Sequence, residues 1–415
     1  MRHIAIIGSG PAGCYLADQL LRLIPDSPID IFERLPVPFG LVRYGVAPDH
    51  QGTKAVARVL DRVLSRDRVG FFGNVEVGRD LRLEELMACY DAVVLATGAS
   101  RDRKLGIPGE GLPGVVGSGA FTAWYNSHPD HAAPQVQDVR SAVVIGNGNV
   151  ATDVARILAK DPSELGGSDL SAEATTWLKA QPIETIHIVG RRSAADAKFT
   201  EHELAELGTL QRARPVIANP AALTGDGPIV QTLRSFAGNN SSDAPVTIRF
   251  HFGLTPVAFL GQTQLQAVQF RSAAGATVNI PAQLAVTCIG YESRDCCTAA
   301  PENGTFRNHE GKIQEGLYVV GWAKRGPSGT IPTNRSEAQL VAQKMAQEVR
   351  DGGRPGAARV RQLLEERHVD WVDYAAWRRI DAAELAQACG ERCRVKFRTL
   401  TEMLGTARAH QLRSA

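Results

Sequence analysis

Two short runs in this chain pair glycines with a distant charge at a spacing suited to phosphate binding. The first is Gly8-Ser9-Gly10-Pro11-Ala12-Gly13, followed 20 residues after Gly13 by Glu33. The second is Gly146-Asn147-Gly148-Asn149-Val150-Ala151, followed by Gly190-Arg191-Arg192. In such a run the first glycine permits a tight turn, and the second lets backbone approach a pyrophosphate. The third allows a helix to pack closely on a strand. The helix that follows presents free N–H groups and a partial positive charge to the phosphates. The distal charge then discriminates. A carboxylate accepts bonds from two ribose hydroxyls and repels a 2′-phosphate, so Glu33 suits an unphosphorylated ribose. Arginine forks match a phosphate bidentately, so Arg191 and Arg192 suit a 2′-phosphate.

The elements around each run are those the chemistry needs. An apolar strand, His3 to Ile7, enters the first run, a helix through Cys14 to Leu21 leaves it, and a second strand, Ile29 to Phe32, ends on Glu33. The strand Ala142 to Ile145 enters the second run, and the helix Thr152 to Leu158 leaves it. After a polar insertion, the strand Thr185 to Val189 ends at the arginines. Ala151 replaces the third glycine, a change that packs slightly more loosely. Apolar runs at Asp91 to Ala99, Leu284 to Gly290 and Gly316 to Val320 read as further buried strands, and a helix is expected from about Asn334 to Val349.

The expected fold class is α/β, with two Rossmann-like dinucleotide-binding domains. A first, discontinuous domain (1–103 and 321–415) takes FAD, and an inserted domain (104–320) takes NADP. Such a chain is built to pass hydride from NADPH to FAD.

Composition excludes several other classes. Charged residues are 22% of the chain and the formal net charge is +2, so nothing general points to nucleic acid or an anionic membrane. No apolar run approaches the roughly 20 residues of a membrane span. With the first strand directly after Met1-Arg2, no leader is expected, and a cytoplasmic, bacterial protein is the expectation. Cys14, Cys89, Cys288, Cys296, Cys297, Cys389 and Cys393 form neither a disulfide framework nor a metal-ligand spacing, so no metal is expected.

Longer motifs are more specific. Val37-Pro38-Phe39-Gly40-Leu41-Val42-Arg43-Tyr44-Gly45-Val46-Ala47-Pro48-Asp49-His50, Gly73 to Gly78, Phe199 to Leu204 and Gly321-Trp322-Ala323-Lys324-Arg325-Gly326-Pro327-Ser328-Gly329-Thr330-Ile331 stand in the chain. Together they closely resemble the adrenodoxin-reductase family of ferredoxin–NADP reductases, over nearly the whole chain. Beside the loop glycines Gly8, Gly10 and Gly13, the resemblance implies FAD contacts at Ala12, Glu33, Leu41, Val77, Trp322, Gly329, Thr330 and Ile331. It implies NADPH contacts at Arg103, Asn147, Gly148, Asn149, Val150, Arg191, Arg192, Glu203 and Gly329. It also places His50 and Glu203 near the reacting rings, as the candidate catalytic pair. By residue type alone, His50 would be a turn histidine and Glu203 a solvated helix residue.

The implied activity is hydride transfer from NADPH to FAD, then single-electron transfer to a ferredoxin-type iron–sulfur protein. The chain departs from the family at Ala205, where mammalian members carry a basic residue, and along Tyr291 to Gly304 and Cys389 to Cys393. The partner is expected to be a small acidic protein. Arg392, Arg394, Lys396 and Arg398 offer one basic surface for it, though such a run is as often a solvated tail. Rival readings are a disulfide or quinone reductase, a flavin monooxygenase and a non-enzymatic flavin redox sensor. A disulfide reductase would need a cysteine pair beside the flavin, and Cys14 stands alone in the first helix.

Overall fold

In the computed structural model, the described residues are 1–238, 244–294, 301–388, 390 and 392–409. Cys296, Cys297 and Cys389, and the loop expected at 239–243, lie outside them. The chain divides into two compact units, Met1–Arg101 with Tyr291–Ala415, and Asp102–Gly290. The inserted unit therefore ends at Gly290, not at residue 320 as expected from the sequence.

The first unit begins β1 (Ile4–Ile7), α1 (Pro11–Leu23), β2 (Ile29–Glu33), β3 (Val69–Gly73) and β4 (Ala92–Leu95). β1 pairs in parallel with β2 on one side and β4 on the other, so chain order reverses beside it. That reversal opens a crevice at the carboxyl ends of the strands, the usual ligand position in such sheets. Alternate residues of β1 enter different cores. Ile4 and Ile6 pack with Leu16 and Leu20 of α1, whereas Ala5 and Ile7 pack with Phe32, Val93 and Leu95. Burial on both faces explains why the strand reads as continuously apolar.

The second unit repeats the plan with β5 (Val115–Gly117), β6 (Ser141–Ile145), α2 (Asn149–Ala159), β7 (Thr185–Gly190), α3 (Glu201–Glu206), β8 (Ala213–Ile217) and β9 (Val246–Phe252). A three-stranded antiparallel sheet follows, β10 (Leu254–Leu260), β11 (Ala267–Ser272) and β12 (Thr277–Pro281), and then β13 (Leu284–Thr287). The main sheet has six strands in the order β5-β13-β6-β7-β9-β8. Val144 and Ile188 face the helical core, while Val143, Ile145 and Val189 pack against Phe259, Val268 and Phe270 of the antiparallel sheet.

The chain then re-enters the first unit. β14 (Lys312–Gln314) and β15 (Leu317–Val319) complete its six-stranded sheet in the order β14-β15-β4-β1-β2-β3. β15 runs parallel to β4, pairing Leu317 with Val93 and Val319 with Leu95. This pairing places β15 in the first unit, and with the division after Gly290 it corrects the expected boundary. α4 (Trp322–Arg325) and α5 (Ile331–Glu348) follow. α5 starts ahead of the expected Asn334 because Pro332 is tolerated in a first turn, where no intrahelical N–H bond is lost. Among the described residues, no helix is long and apolar enough to cross a membrane.

Candidate functional site

In the first unit the loop between β1 and α1 is shaped by its glycines. Gly8 has φ +113°, and a Cβ there would collide with the carbonyl of Ala96. One on Gly13 would collide with the carbonyl of Gly8. Gly10 differs, since nothing lies within 4 Å of where its Cβ would stand. That space faces the start of α1, whose N-cap makes no side-chain bond. An open glycine before an uncapped helix N-terminus has room and donors for a pyrophosphate.

The surrounding segments converge on this loop. Glu33 at the end of β2 accepts bonds from the Ser9 hydroxyl at 2.6 Å, the Ser9 N–H at 3.2 Å and the Leu35 N–H at 3.2 Å. Phe39 donates its N–H to the Ser9 carbonyl at 3.2 Å from a backbone φ of 83°. That conformation is costly for a bulky residue, and the ring is held edge-on against Trp377 at 5.7 Å. Next to it, a Cβ on Gly40 would lie 3.5 Å from the Gly10 Cα, and Leu41 is exposed. Val77 is buried in the segment after β3, where the Val75 N–H bonds the Glu33 carbonyl.

From the return segment, Gly321 packs on Ala12 so closely that a Cβ there would stand 2.5 Å from the alanine's own. Trp322 donates to the Ser328 carbonyl at 3.1 Å and stacks on Tyr291. Glu337 of α5 ties this turn down, accepting from the Gly321 N–H at 2.9 Å, Lys324 at 3.1 Å and Arg325. Gly329 and Thr330 are exposed before α5, and Ile331 is half-buried. The buried Thr97 hydroxyl, two residues past β4, has no partner among the described residues. The open space at Gly10, the uncapped helix and this hydroxyl fit a dinucleotide.

His50 is half-buried and sits at the N-cap position of the short helix Gln51–Lys54 in the same unit, without a side-chain capping bond. Glu203 belongs to the second unit. Cys14 is fully buried and donates to the Ser9 carbonyl at 3.2 Å. Burial, then the nearby Glu33 and Asp61 carboxylates, push its pKa far above the usual thiol range. A thiol so held is a poor nucleophile, which counts against disulfide chemistry.

The second unit repeats the loop. Gly146, at φ +144°, abuts the carbonyl of Cys288, and Ala151 is fully buried in the third-glycine position. Gly148 has nothing within 4 Å of where its Cβ would stand, and α2 starts after it without a side-chain cap. Asn147 packs its amide on Gly190 and accepts the Lys198 N–H at its backbone carbonyl at 2.6 Å, while its buried Oδ1 has no partner among the described residues. Asn149 accepts the Thr200 N–H at 2.8 Å, and Val150 is half-buried. Arg191 and Arg192 are exposed beyond β7, and Arg191 lines a cavity of about 420 Å³. Arg103 is exposed, its N–H bonded to the Gly290 carbonyl at 3.1 Å.

Glu203 is not a simple solvated residue. Arg156 of α2, 0% exposed, reaches Asp153 at 2.8 Å, Glu206 at 3.3 Å and Glu203 at 3.4 Å. Three carboxylates thus converge on one buried guanidinium. Residue type and spacing gave no sign of Arg156, an ordinary-looking helix residue. Ser9, Thr97 and Glu337 were missed for the same reason.

The expected basic docking cluster is corrected in part. Arg394 pairs with Asp381 at 2.7 Å and with the fully buried Glu384 at 3.0 Å, which also binds buried Arg43. Lys396 is buried and donates to the Arg43 carbonyl at 3.3 Å. These two cations hold the 41–44 helix in place and are not offered to a partner.

Comparison with known proteins decides the family. The pyridine nucleotide-disulphide oxidoreductase family matches residues 2–194. The cindoxin reductase of Citrobacter braakii is 39% identical over 98% of this chain and 91% of its own. Human mitochondrial NADPH:adrenodoxin oxidoreductase is 36% identical over 94% of this chain and 88% of its own. The chain belongs to the adrenodoxin-reductase-like ferredoxin–NADP reductases. The solved structure of Mycobacterium tuberculosis FprA in complex with NADPH superposes with a TM-score of 0.91 at 35% identity, covering 98% of this chain and 99% of that one. Membership in the ferredoxin–NADP reductases accounts for two dinucleotide folds in one chain, and the similarity extends across both units.

Proposed function

We propose that this chain is a ferredoxin–NADP reductase that takes hydride from NADPH onto noncovalent FAD and passes single electrons to a ferredoxin-type iron–sulfur protein. The first unit holds FAD and the second holds NADPH. The observation that carries this assignment is the contrast at the two strand ends. Glu33 is bound into the first glycine loop by Ser9, whereas Arg191 opens on a cavity. Bound FAD converts a two-electron donor into a one-electron one.

In this reading Gly8, Gly10, Ala12 and Gly13 shape the pyrophosphate seat of FAD, and Glu33 takes its ribose. Leu41, Val77, Trp322, Gly329, Thr330 and Ile331 wall the rest. Asn147 to Val150 take the NADPH pyrophosphate, and Arg103, Arg191 and Arg192 anchor its charged end. Arg156 holds the Glu203 carboxylate, which limits its freedom while it positions the nicotinamide. His50 handles a proton at its imidazole. We assign the protein to the cytoplasm, a reading supported by its bacterial relatives and the free thiols of Cys14, Cys89, Cys288 and Cys393.

Replacing Arg191 and Arg192 together with Ala tests the assignment. Charge-assisted bonds are worth about 1.5–3 kcal/mol each, so kcat/KM for NADPH should fall roughly tenfold or more, while that for NADH changes little. Equal loss with both nucleotides would contradict it.

A further inference from the structure

The cavity that Arg191 lines has a second arginine in its wall. It lies wholly within the second unit and is bounded by Ile107, Arg191, Thr255, Pro256, Arg271 and Ser272, among others. Arg271 stands on β11 directly across from Thr255 of β10, in the antiparallel sheet. The two arginines therefore come from unrelated elements, one from the end of β7 and one from the sheet that covers its face. The cavity adjoins the carboxyl ends of β7 and β9, where Gly253 donates its N–H to the Arg192 carbonyl at 3.0 Å. In a sheet of this kind the adenosine end of a dinucleotide lies in that position.

Its chemistry is one-sided. No carboxylate lines the cavity, and among the described residues neither Arg191 nor Arg271 has a side-chain ion pair or hydrogen bond. Arg191 and Arg271 are both exposed, and two cations lining one space repel each other unless an anion stands between them. A phosphodiester supplies one charge. A phosphomonoester carries close to two charges and three acceptor oxygens, enough for two forks at once. Arg192 does not line this cavity.

Building on the placement of NADPH in the second unit, we infer that Arg271 is a specificity-determining residue for NADPH, clasping its 2′-phosphate with Arg191. Thr255 and Ser272 also line the cavity, and Ile107 and Pro256 give apolar walls for the adenosine. The discrimination between NADPH and NADH thus comes from two elements far apart in the chain, and not from the arginine dipeptide alone.

The test is calorimetric binding of adenosine 2′-monophosphate to the FAD-loaded full chain, with adenosine 5′-monophosphate and inorganic phosphate as comparison ligands. Arg271→Ala, Arg271→Lys and Arg191→Ala are compared with wild type, with retained FAD and unchanged urea midpoints as folding controls. Arg271→Ala should weaken the 2′-monophosphate roughly tenfold or more, leave the 5′-monophosphate within twofold, and be partly rescued by Arg271→Lys. Wild-type affinity for the 2′-monophosphate in Arg271→Ala would overturn the inference. If Arg191→Ala loses affinity and Arg271→Ala does not, only the role of Arg271 fails. If neither loses affinity, the placement of NADPH in this unit fails with it. Inorganic phosphate bound as tightly as the 2′-monophosphate would show an anion site with no nucleotide preference and would also overturn it.

Discussion

The Ser9 hydroxyl lies 2.6 Å from the Glu33 carboxylate, joining the first glycine loop to the end of β2. Ser9 is fully buried, and its N–H and carbonyl are also engaged, by Glu33 and by Phe39. In the proposed reading, the acid that takes the ribose therefore also sets the loop that takes the pyrophosphate. Losing either partner disturbs both subsites.

Ser9→Ala and Glu33→Ala should each weaken FAD retention, with Glu33→Ala the more severe because it also removes the ribose acceptor. A loss of roughly tenfold per lost bond to a charged group follows from about 1.5–3 kcal/mol each. Bound flavin after dilution, with rescue by added FAD, measures this. Full occupancy in Glu33→Ala would contradict the role given to the acid, while binding of adenosine 2′-monophosphate should be unchanged.

Arg156 and Glu203 separate stability from chemistry. Arg156→Met would leave Asp153, Glu203 and Glu206 crowded around an uncharged side chain. Removing one side of a buried ion cluster costs about 3–5 kcal/mol, and the partly solvated carboxylates put the expected loss near the lower end. Glu203→Gln removes only the longest of these contacts, so its urea midpoint should move little. Its rate of flavin reduction by NADPH should fall instead. Loss of stability without loss of rate in Glu203→Gln would make the residue structural.

A histidine pair gives the second unit a specific acid sensitivity. His187 Nδ1 and His251 Nε2 lie 2.9 Å apart on adjacent strands. Burial lowers both pKa values from 6.5 to about 4, with the neighbouring imidazole and Arg249 adding to the shift at His187, and Arg249 at His251. The unfolded chain binds protons first as pH falls below 6.5, so it is favoured progressively down to about 4. Urea midpoints should fall across that window, and less steeply in a His187→Leu, His251→Leu variant. Identical slopes in the two proteins would remove the pair as the cause.

The charge run at the C-terminal end yields a prediction of its own. Residues 353–415 carry 12 Lys or Arg and 8 Asp or Glu, a net of +4. Ferredoxin reduction should slow as salt rises, since steering is screened over about 8–10 Å, while flavin reduction by NADPH changes much less. Neutralising Arg392 and Arg398 should flatten the salt dependence, whereas neutralising Arg394 or Lys396 should lower stability. An unchanged slope in the first variant would exclude this segment as the dock.

Legibility followed the range of the interaction. The strand, turn and helix around Gly8 to Gly13 and Gly146 to Ala151, and the strand ends at Glu33 and Arg191, were readable because these elements are local. The boundary at Gly290 was not, because it depends on β15 finding β4 across the whole second unit. Arg43 meets Glu384 from 341 residues away, so Arg394 and Lys396 looked like surface charge when they are parts of its surroundings. Arg271 gave no local signal at all. It sits in a strand with no motif and gains its meaning only from the cavity it shares with Arg191.

The most direct test of the central claim is anaerobic stopped-flow mixing of the FAD-loaded protein with NADPH or NADH, followed by a second mix with oxidised ferredoxins of both cluster types. The flavin absorbance should bleach in one fast phase that saturates at far lower NADPH than NADH. It should then recover as at least one ferredoxin is reduced, two ferredoxins per flavin. Bleaching that does not distinguish the two nucleotides, or a reduced flavin that no ferredoxin reoxidises, would contradict the assignment.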